Sequence, residues 1–174
     1  MTGPCFVDAN VLIYARDPRD AAKQQRAHAW LELLWREQRG RTSMQALSEF
    51  YVNQRRLSGV GAAPEELWDR VARYFAWGPY PVDELLLRRA HEIEQRHRLS
   101  WWDCMIVGAA QLQDCALLLS EDLQDGGMFG GVTVRSPFTL DVREPAATYA
   151  VAPVVASRHR PRGRPRRQPV TSHK

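Results

Sequence analysis

Lysine is almost missing from this chain: of 24 basic residues only Lys23 and Lys174 are lysines, the rest being arginine. Mechanisms that need a catalytic lysine therefore have almost no candidates. Cysteine is scarce as well. Cys5, Cys104 and Cys115 are odd in number and lie in apolar segments, which excludes a disulfide framework and fits small buried thiols in a reducing cytoplasm. Cys104 and Cys115 are too far apart for a CxxC zinc pair, and the five histidines do not gather near them. No apolar run approaches the roughly 18 residues of a membrane helix, and no basic segment followed by a long apolar one marks a secretory signal, so no membrane partner is expected. Glycine-rich phosphate loops are absent too: Gly126-Gly127-Met128-Phe129-Gly130-Gly131 does not match G-x-G-x-x-G, and no P-loop lysine exists.

The net charge of +4 is unevenly distributed. Arg158, Arg160, Arg162, Arg164, Arg166, Arg167 and Lys174 crowd a stretch with no acid, leaving 17 basic against 20 acidic groups before it. The body is mildly acidic, and the alkaline pI is no sign of a nucleic-acid-binding surface. The arginines alternate with Pro161, Pro165 and Pro169, a composition that cannot bury enough surface to fold alone. We therefore expect a folded domain over 1–145 and a basic, disordered tail over 146–174.

Within the body, residues 5–7 read as a short buried strand after Gly3-Pro4. A helix over 20–38 carries Ala27, Trp30, Leu31, Leu34 and Trp35 on one face. A short strand near 41–43 leads to a helix over 45–57 with Leu47, Phe50, Tyr51 and Leu57 on one stripe. Pro64 and Glu65-Glu66 open a helix running to about Phe75, with Leu67, Val71 and Tyr74 or Phe75 inward. Asp83 caps a helix over 84–97 with Leu86, Leu87, Ala90 and Ile93 apolar, and Ser100 opens one to about Gln113. Strands follow at 116–119 and 132–134. This alternation predicts an α/β sandwich with a short, mainly parallel sheet, whose ligand crevice lies at the strands' carboxyl ends.

What the chain does have is acids at element ends among apolar neighbours. Asp8 follows the first strand, Glu49 lies between Leu47 and Phe50, Asp103 follows Trp101-Trp102, and Asp122 closes Leu118-Leu119-Ser120-Glu121-Asp122. Each has an ordinary alternative. Asp8 and Asp103 suit helix caps, Glu49 a solvated helix face, and Asp122 and Asp125 an acidic turn. Trp101, Trp102, Met105 and Ile106 are expected to enclose Asp103 in a protected crevice. Two carboxylates about 4 Å apart repel by roughly 4 kcal/mol at an effective dielectric near 20, so a cluster needs protons or a cation. Ligands that are all oxygen suit Mg²⁺, with Mn²⁺ as a substitute, rather than zinc. A phosphatase with Asp8 as nucleophile would want a second Asp where Asn10 stands, together with a core lysine.

Phe6-Val7-Asp8-Ala9-Asn10-Val11-Leu12, Ser43-Met44-Gln45-Ala46-Leu47-Ser48-Glu49-Phe50, Trp102-Asp103 and Leu119-Ser120-Glu121-Asp122, in that order, resemble a PIN domain over about residues 4 to 140. The likeness is to toxin ribonucleases of the VapC type. It implies a three-layer α/β/α sandwich. It also implies Asp8, Glu49, Asp103 and Asp122 as catalytic and metal-binding acids, with Asn10, Ser43 and Ser120 supporting them. Many relatives carry a further acid two residues after the fourth. Here that position is Gln124, and Asp125 is the neighbouring candidate for an extra ligand. The resemblance further implies Mg²⁺-dependent endoribonuclease activity on an RNA substrate, a homodimer, and a cognate antitoxin that blocks the groove. Arg16, Arg55 and Arg56 are candidates to hold RNA phosphates, with solvated surface charge as the default for each. The competing reading is a non-catalytic RNA- or protein-binding module.

Overall fold

Three apolar residues, Cys5–Val7, form a strand (β1) without an exposed face. Because side chains alternate across a strand, Phe6 enters one core while Cys5 and Val7 enter another. The first core packs Phe6 and Leu118 against Leu86, Ala90, Ile93, Met105, Val107 and Ala110. The second packs Cys5, Val7 and Leu119 against Leu12, Leu34, Leu47, Phe50 and Trp77. A sheet with helices on both faces is a three-layer sandwich, the architecture expected. The structure is a computed structural model in which residues 3–58 and 63–142 are described. The basic stretch over 146–174 lies outside them.

The helices are α1 (Ala9–Tyr14), α2 (Ala21–Arg36), α3 (Met44–Ser58), α4 (Pro64–Ala72), α5 (Glu84–Arg96) and α6 (Trp101–Leu112). The further strands are β2 (Gly40–Arg41), β3 (Leu117–Leu119), β4 (Met128–Phe129) and β5 (Val132–Arg135). Their order is β2-β1-β3-β5-β4. β1 pairs in parallel with β2 and β3, β3 pairs in parallel with β5, and only β4 runs antiparallel, on β5. From β1 the chain moves outward to β2, then crosses back to β3 on the other side. The direction of winding therefore reverses at the β1–β3 pair, where open parallel sheets leave their crevice.

Several expectations shift on local grounds. Six residues after Asp8 form a helix of their own, because the Asp8 side chain accepts from the Ala9 N–H. The second strand ends at Arg41 rather than reaching Ser43, which instead makes an isolated bridge with Tyr80. The helix begun at Pro64 tightens after Ala72 into a 3₁₀ turn, Arg73–Trp77. Side chains three apart eclipse in a 3₁₀ helix, so Tyr74 and Trp77 both turn inward and Phe75 is left exposed. Leu87 is exposed as well, while Leu86, Ala90 and Ile93 form the buried face of α5. β4 escaped the sequence reading: it is two residues long and exists as a hairpin arm across Gly130-Gly131.

Gly40 marks a close approach. A Cβ there would meet the Trp77 ring at 2.3 Å, whereas one on Gly3 would meet nothing within 4 Å. The Trp77 indole is itself wedged among Trp35 and Tyr74, with centroids 5.0 and 5.1 Å away, and cannot withdraw. Overpacking of this kind costs roughly 1–3 kcal/mol. Gly40→Ala should therefore lower the unfolding free energy by that amount, seen as a lower midpoint of chemical unfolding, while Gly3→Ala leaves it unchanged. Equal midpoints for the two variants would contradict this packing.

Candidate active site

Asp8 stands where β1 ends and α1 begins. Its backbone N–H still donates to Leu119 O at 3.1 Å, continuing the β1–β3 ladder. Its side chain has turned to cap the helix: Oδ1 accepts from Ala9 N–H at 2.7 Å. The cap reading and the site reading therefore describe the same carboxylate. Oδ2 faces the neighbouring strand end, where the Ser120 hydroxyl donates to it at 2.8 Å.

Asn10, two residues on, joins the two strand ends. Its amide nitrogen lies 3.2 Å from Asp8 Oδ2, 3.2 Å from Ser120 Oγ and 3.1 Å from Asp122 Oδ2. Ser120 Oγ also accepts from the Asp122 N–H at 3.2 Å. Asp8, Asn10 and Ser120 are all buried, and Asp122 reaches over them from solvent. Four polar residues from two chain segments thus form one network at the strand reversal.

A second network faces it from the helices. Gln45, one turn before Glu49 on α3, donates from its amide to Glu49 Oε1 at 2.9 Å and approaches Trp102 O at 3.3 Å. It ties α3 to the start of α6, where the next residue is Asp103. Ser100 caps that helix, accepting from Asp103 N–H at 3.2 Å and donating to Asp103 Oδ2 at 2.7 Å. Ser43 caps α3 through Ala46 N–H at 3.2 Å. Gln45 was missed by the sequence reading, although its spacing of four from Glu49 on one helix is the available signal.

Only Asp8 of the four acids is buried, at 7% exposure; Glu49 and Asp122 are exposed and Asp103 is half-buried. Trp102 is 63% exposed, so it borders the crevice without closing it, contrary to the expected shield around Asp103. Asp125 has other partners. It accepts from Ser136 N–H at 2.8 Å and Arg135 Nε at 3.0 Å, fastening the end of β5. Burial alone would raise its carboxyl, but these donors hold it below the usual range. Glu121 pairs with Lys23, the one lysine of the body, whose ammonium also donates to the Tyr14 hydroxyl at 3.2 Å. Arg16, Arg55 and Arg56 are all exposed.

The electrostatics separate Asp8 from the rest. Burial pushes its carboxyl up, the hydrogen bonds from Ser120 and Ala9 hold it down, and the charges of Asp122 and Glu49 push it up again, to about 7. Like charges so placed call for a proton or a cation. Among the described residues no three Asp, Glu, His or Cys side chains stand close enough to form a metal cage. The donors are all oxygen, and the most buried of them has no ionic partner.

The carboxylates therefore stand at the reversal of a parallel sheet, where such sheets leave their ligand crevice. Residues 5–124 match the family model of the PIN domain, and the chain belongs to that family. PIN domains are a superfamily of nucleases, and membership supports a nuclease role, hydrolysis of nucleic acid, for this chain. No curated protein matches it. Among the described residues no helix is long and apolar enough to cross a membrane.

The raised Asp8 carboxyl fixes a pH dependence. Between its ordinary value of 3.8 and about 7 the native state holds a proton that the unfolded chain has released. Without divalent ions, unfolding free energy should fall as pH rises across that window, by up to about 1.4 kcal/mol per unit. Asp8→Asn removes the titration, and its stability should stay flatter and exceed wild type at neutral pH. Urea unfolding from pH 4.5 to 7.5 in EDTA measures this; identical slopes for the two proteins would refute it.

Proposed function

We propose that this protein is a Mg²⁺-dependent endoribonuclease, with Mn²⁺ as a substitute, and the toxin of a type II toxin–antitoxin pair. The observation that carries the nuclease chemistry is Asp8: a buried carboxylate held open toward Asp122 by Ser120 and Asn10, with two neighbouring acids raising it. Asp8 and Asp122 are the residues to hold the ion, with Glu49 and Asp103 on the facing side. Bound there, the ion supplies charge neutralisation on the phosphodiester and a more acidic water at neutral pH.

The chain's own groups do the rest. Ser120 and Asn10 fix the rotamers of Asp8 and Asp122 so that the oxygens need not reorganise. Gln45 holds Glu49 against the start of α6, and Ser100 holds Asp103. Glu49 or Asp103, open to solvent, can take the proton of an attacking water in the crevice. Ser43 supports this arrangement indirectly, by capping the helix that carries Glu49. Asp125 is omitted because Arg135 and the β5 backbone engage it.

In the same reading the protein works in the cytoplasm as a homodimer, inhibited by a cognate antitoxin seated in the groove. The resemblance of its four motifs to VapC-type toxins supports this, as does the family. The competing module without activity would leave the raised Asp8 carboxyl with no use.

Purified protein given a mixed-sequence RNA should cleave internally with Mg²⁺ and lose cleavage in EDTA. Asp8→Asn and Asp122→Asn should each lower the rate about 100-fold or more, since that corresponds to only about 2.7 kcal/mol of lost charge stabilisation. Asn10→Ala and Gln45→Ala, which remove orienting groups, should cost roughly 10–100-fold. Cleavage that survives EDTA, or both Asp substitutions, would sink the assignment.

A further inference from the structure

Beyond the far end of α1 lies a pocket of about 300 Å³ that the nuclease chemistry does not use. Its apolar wall is Trp35 with Tyr74, whose rings pack 5.7 Å apart. Arg73 lies over both, its guanidinium carbon 5.4 Å from the Trp35 ring centre and 5.7 Å from that of Tyr74. Arg16 enters from the chain leaving α1, and His28 and Glu32 complete the rim from α2. Among the described residues neither arginine has an ion-pair partner. Both nevertheless bear on one point: their charges oppose the rise that burial imposes on the Tyr74 hydroxyl.

Arg16 and Arg73 line one pocket with Tyr74, and two guanidinium groups without an ion-pair partner among the described residues make a site for a phosphate, since arginine presents paired donors that match its oxygens. Aromatic rings beside them are a surface for a base or sugar. Glu32, a lone acceptor on the rim, repels the phosphate and suits ribose hydroxyls. The volume is at the lower end of those that hold small molecules, which fits one nucleotide. An acidic peptide would satisfy the arginines but would make no use of the rings.

We infer that this pocket binds one nucleotide of the RNA substrate, its phosphate held by Arg16, Arg73 and the Tyr74 hydroxyl and its base or sugar against Trp35. The inference rests on the ribonuclease reading, and the position supports it. α1 starts at Asp8, and Arg16 comes eight residues later, about 12 Å along a helical path. One short RNA can therefore lie across both the acids and the arginines. The arginines attract the strand where the acids repel it.

The test is binding of a fluorescein-labelled RNA octamer in EDTA, where no cleavage is expected, followed by anisotropy. Arg16→Ala with Arg73→Ala should weaken binding about tenfold or more, and the slope of log affinity against log salt should fall by about 1.4, the value for two lost single-strand phosphate contacts. Arg88→Ala with Arg96→Ala, on α5, removes the same charge and should leave both readings near wild type. Adenosine 5′-monophosphate should displace the octamer better than ribose 5-phosphate. Wild-type affinity in the Arg16/Arg73 variant, an equal loss in the α5 variant, or displacement by an acidic peptide as effective as by the nucleotide would each overturn the inference. Failure of the two readings is distinguishable. A protein that binds RNA through Arg16 and Arg73 but never cleaves it refutes the nuclease assignment alone. An active nuclease indifferent to the double substitution refutes the pocket alone.

Discussion

The site depends on one compromise, the burial of the Asp8 carboxylate at the junction of β1 and α1. A charge in that position needs donors, and it has three: Ala9 N–H, Ser120 Oγ and Asn10 Nδ2. None carries a positive charge, so they satisfy the oxygens without neutralising them. Burial first, and the charges of Asp122 and Glu49 after it, push the carboxyl up to about 7. A structural carboxylate would be paired with arginine, a residue this chain has in quantity. The Arg19–Asp17 pair shows the chain does this nearby, where Asp17 is held well below the usual carboxylate range, at about 2. Asp8 has no such partner among the described residues, and the proposed site rests on that difference.

The topology makes the compromise affordable. Val7 and Leu119 are register partners, so the residues after them must lie side by side. Ser120 is thereby brought against Asp8 although 112 positions separate them, and Asp122 needs only one more turn of chain. Four parallel strands enclosed on both faces fix this registry, since a slip of one residue would exchange the two cores that Phe6 and Val7 separately fill. The helices have more freedom. Glu49 and Asp103 meet the site through Gln45 and Ser100, on surfaces that solvent reaches.

Much of this was legible in the sequence because it follows from local chemistry. The short buried run at Cys5–Val7, the Asp83 and Ser100 caps and the Pro64 helix start are written in residue types that have one or two uses. The strand ends that carry Asp8 and Ser120 could be placed for the same reason. Illegible were matters decided by partners far along the chain. Whether Tyr74 or Phe75 turned inward depended on a 3₁₀ turn that the Trp35 and Trp77 rings favour. Exposure of Trp102 could not be read from its apolar neighbours, since residues 101 and 102 lie on different sides of α6. Asp125 looked like Asp122 in sequence, and its donors further along the chain, Arg135 and the Ser136 N–H, tell them apart.

The sign of the charge raises a last question, how a domain of net negative body charge can hold a polyanion at all. Net charge governs approach at distance, but within a Debye length of about 8 Å at physiological salt the arrangement of individual groups decides. Here the arrangement is polar along α1. Asp8 caps its amino end, where the backbone N–H groups favour negative charge, and Arg16 follows just after the Ala15 cap at its carboxyl end. Helix dipole, acids and arginine therefore agree in direction. Under the proposed function, a strand laid along this axis would meet repulsion only over the acids, and a divalent ion there would convert that patch into attraction. On that reading substrate and ion would each favour the other's binding.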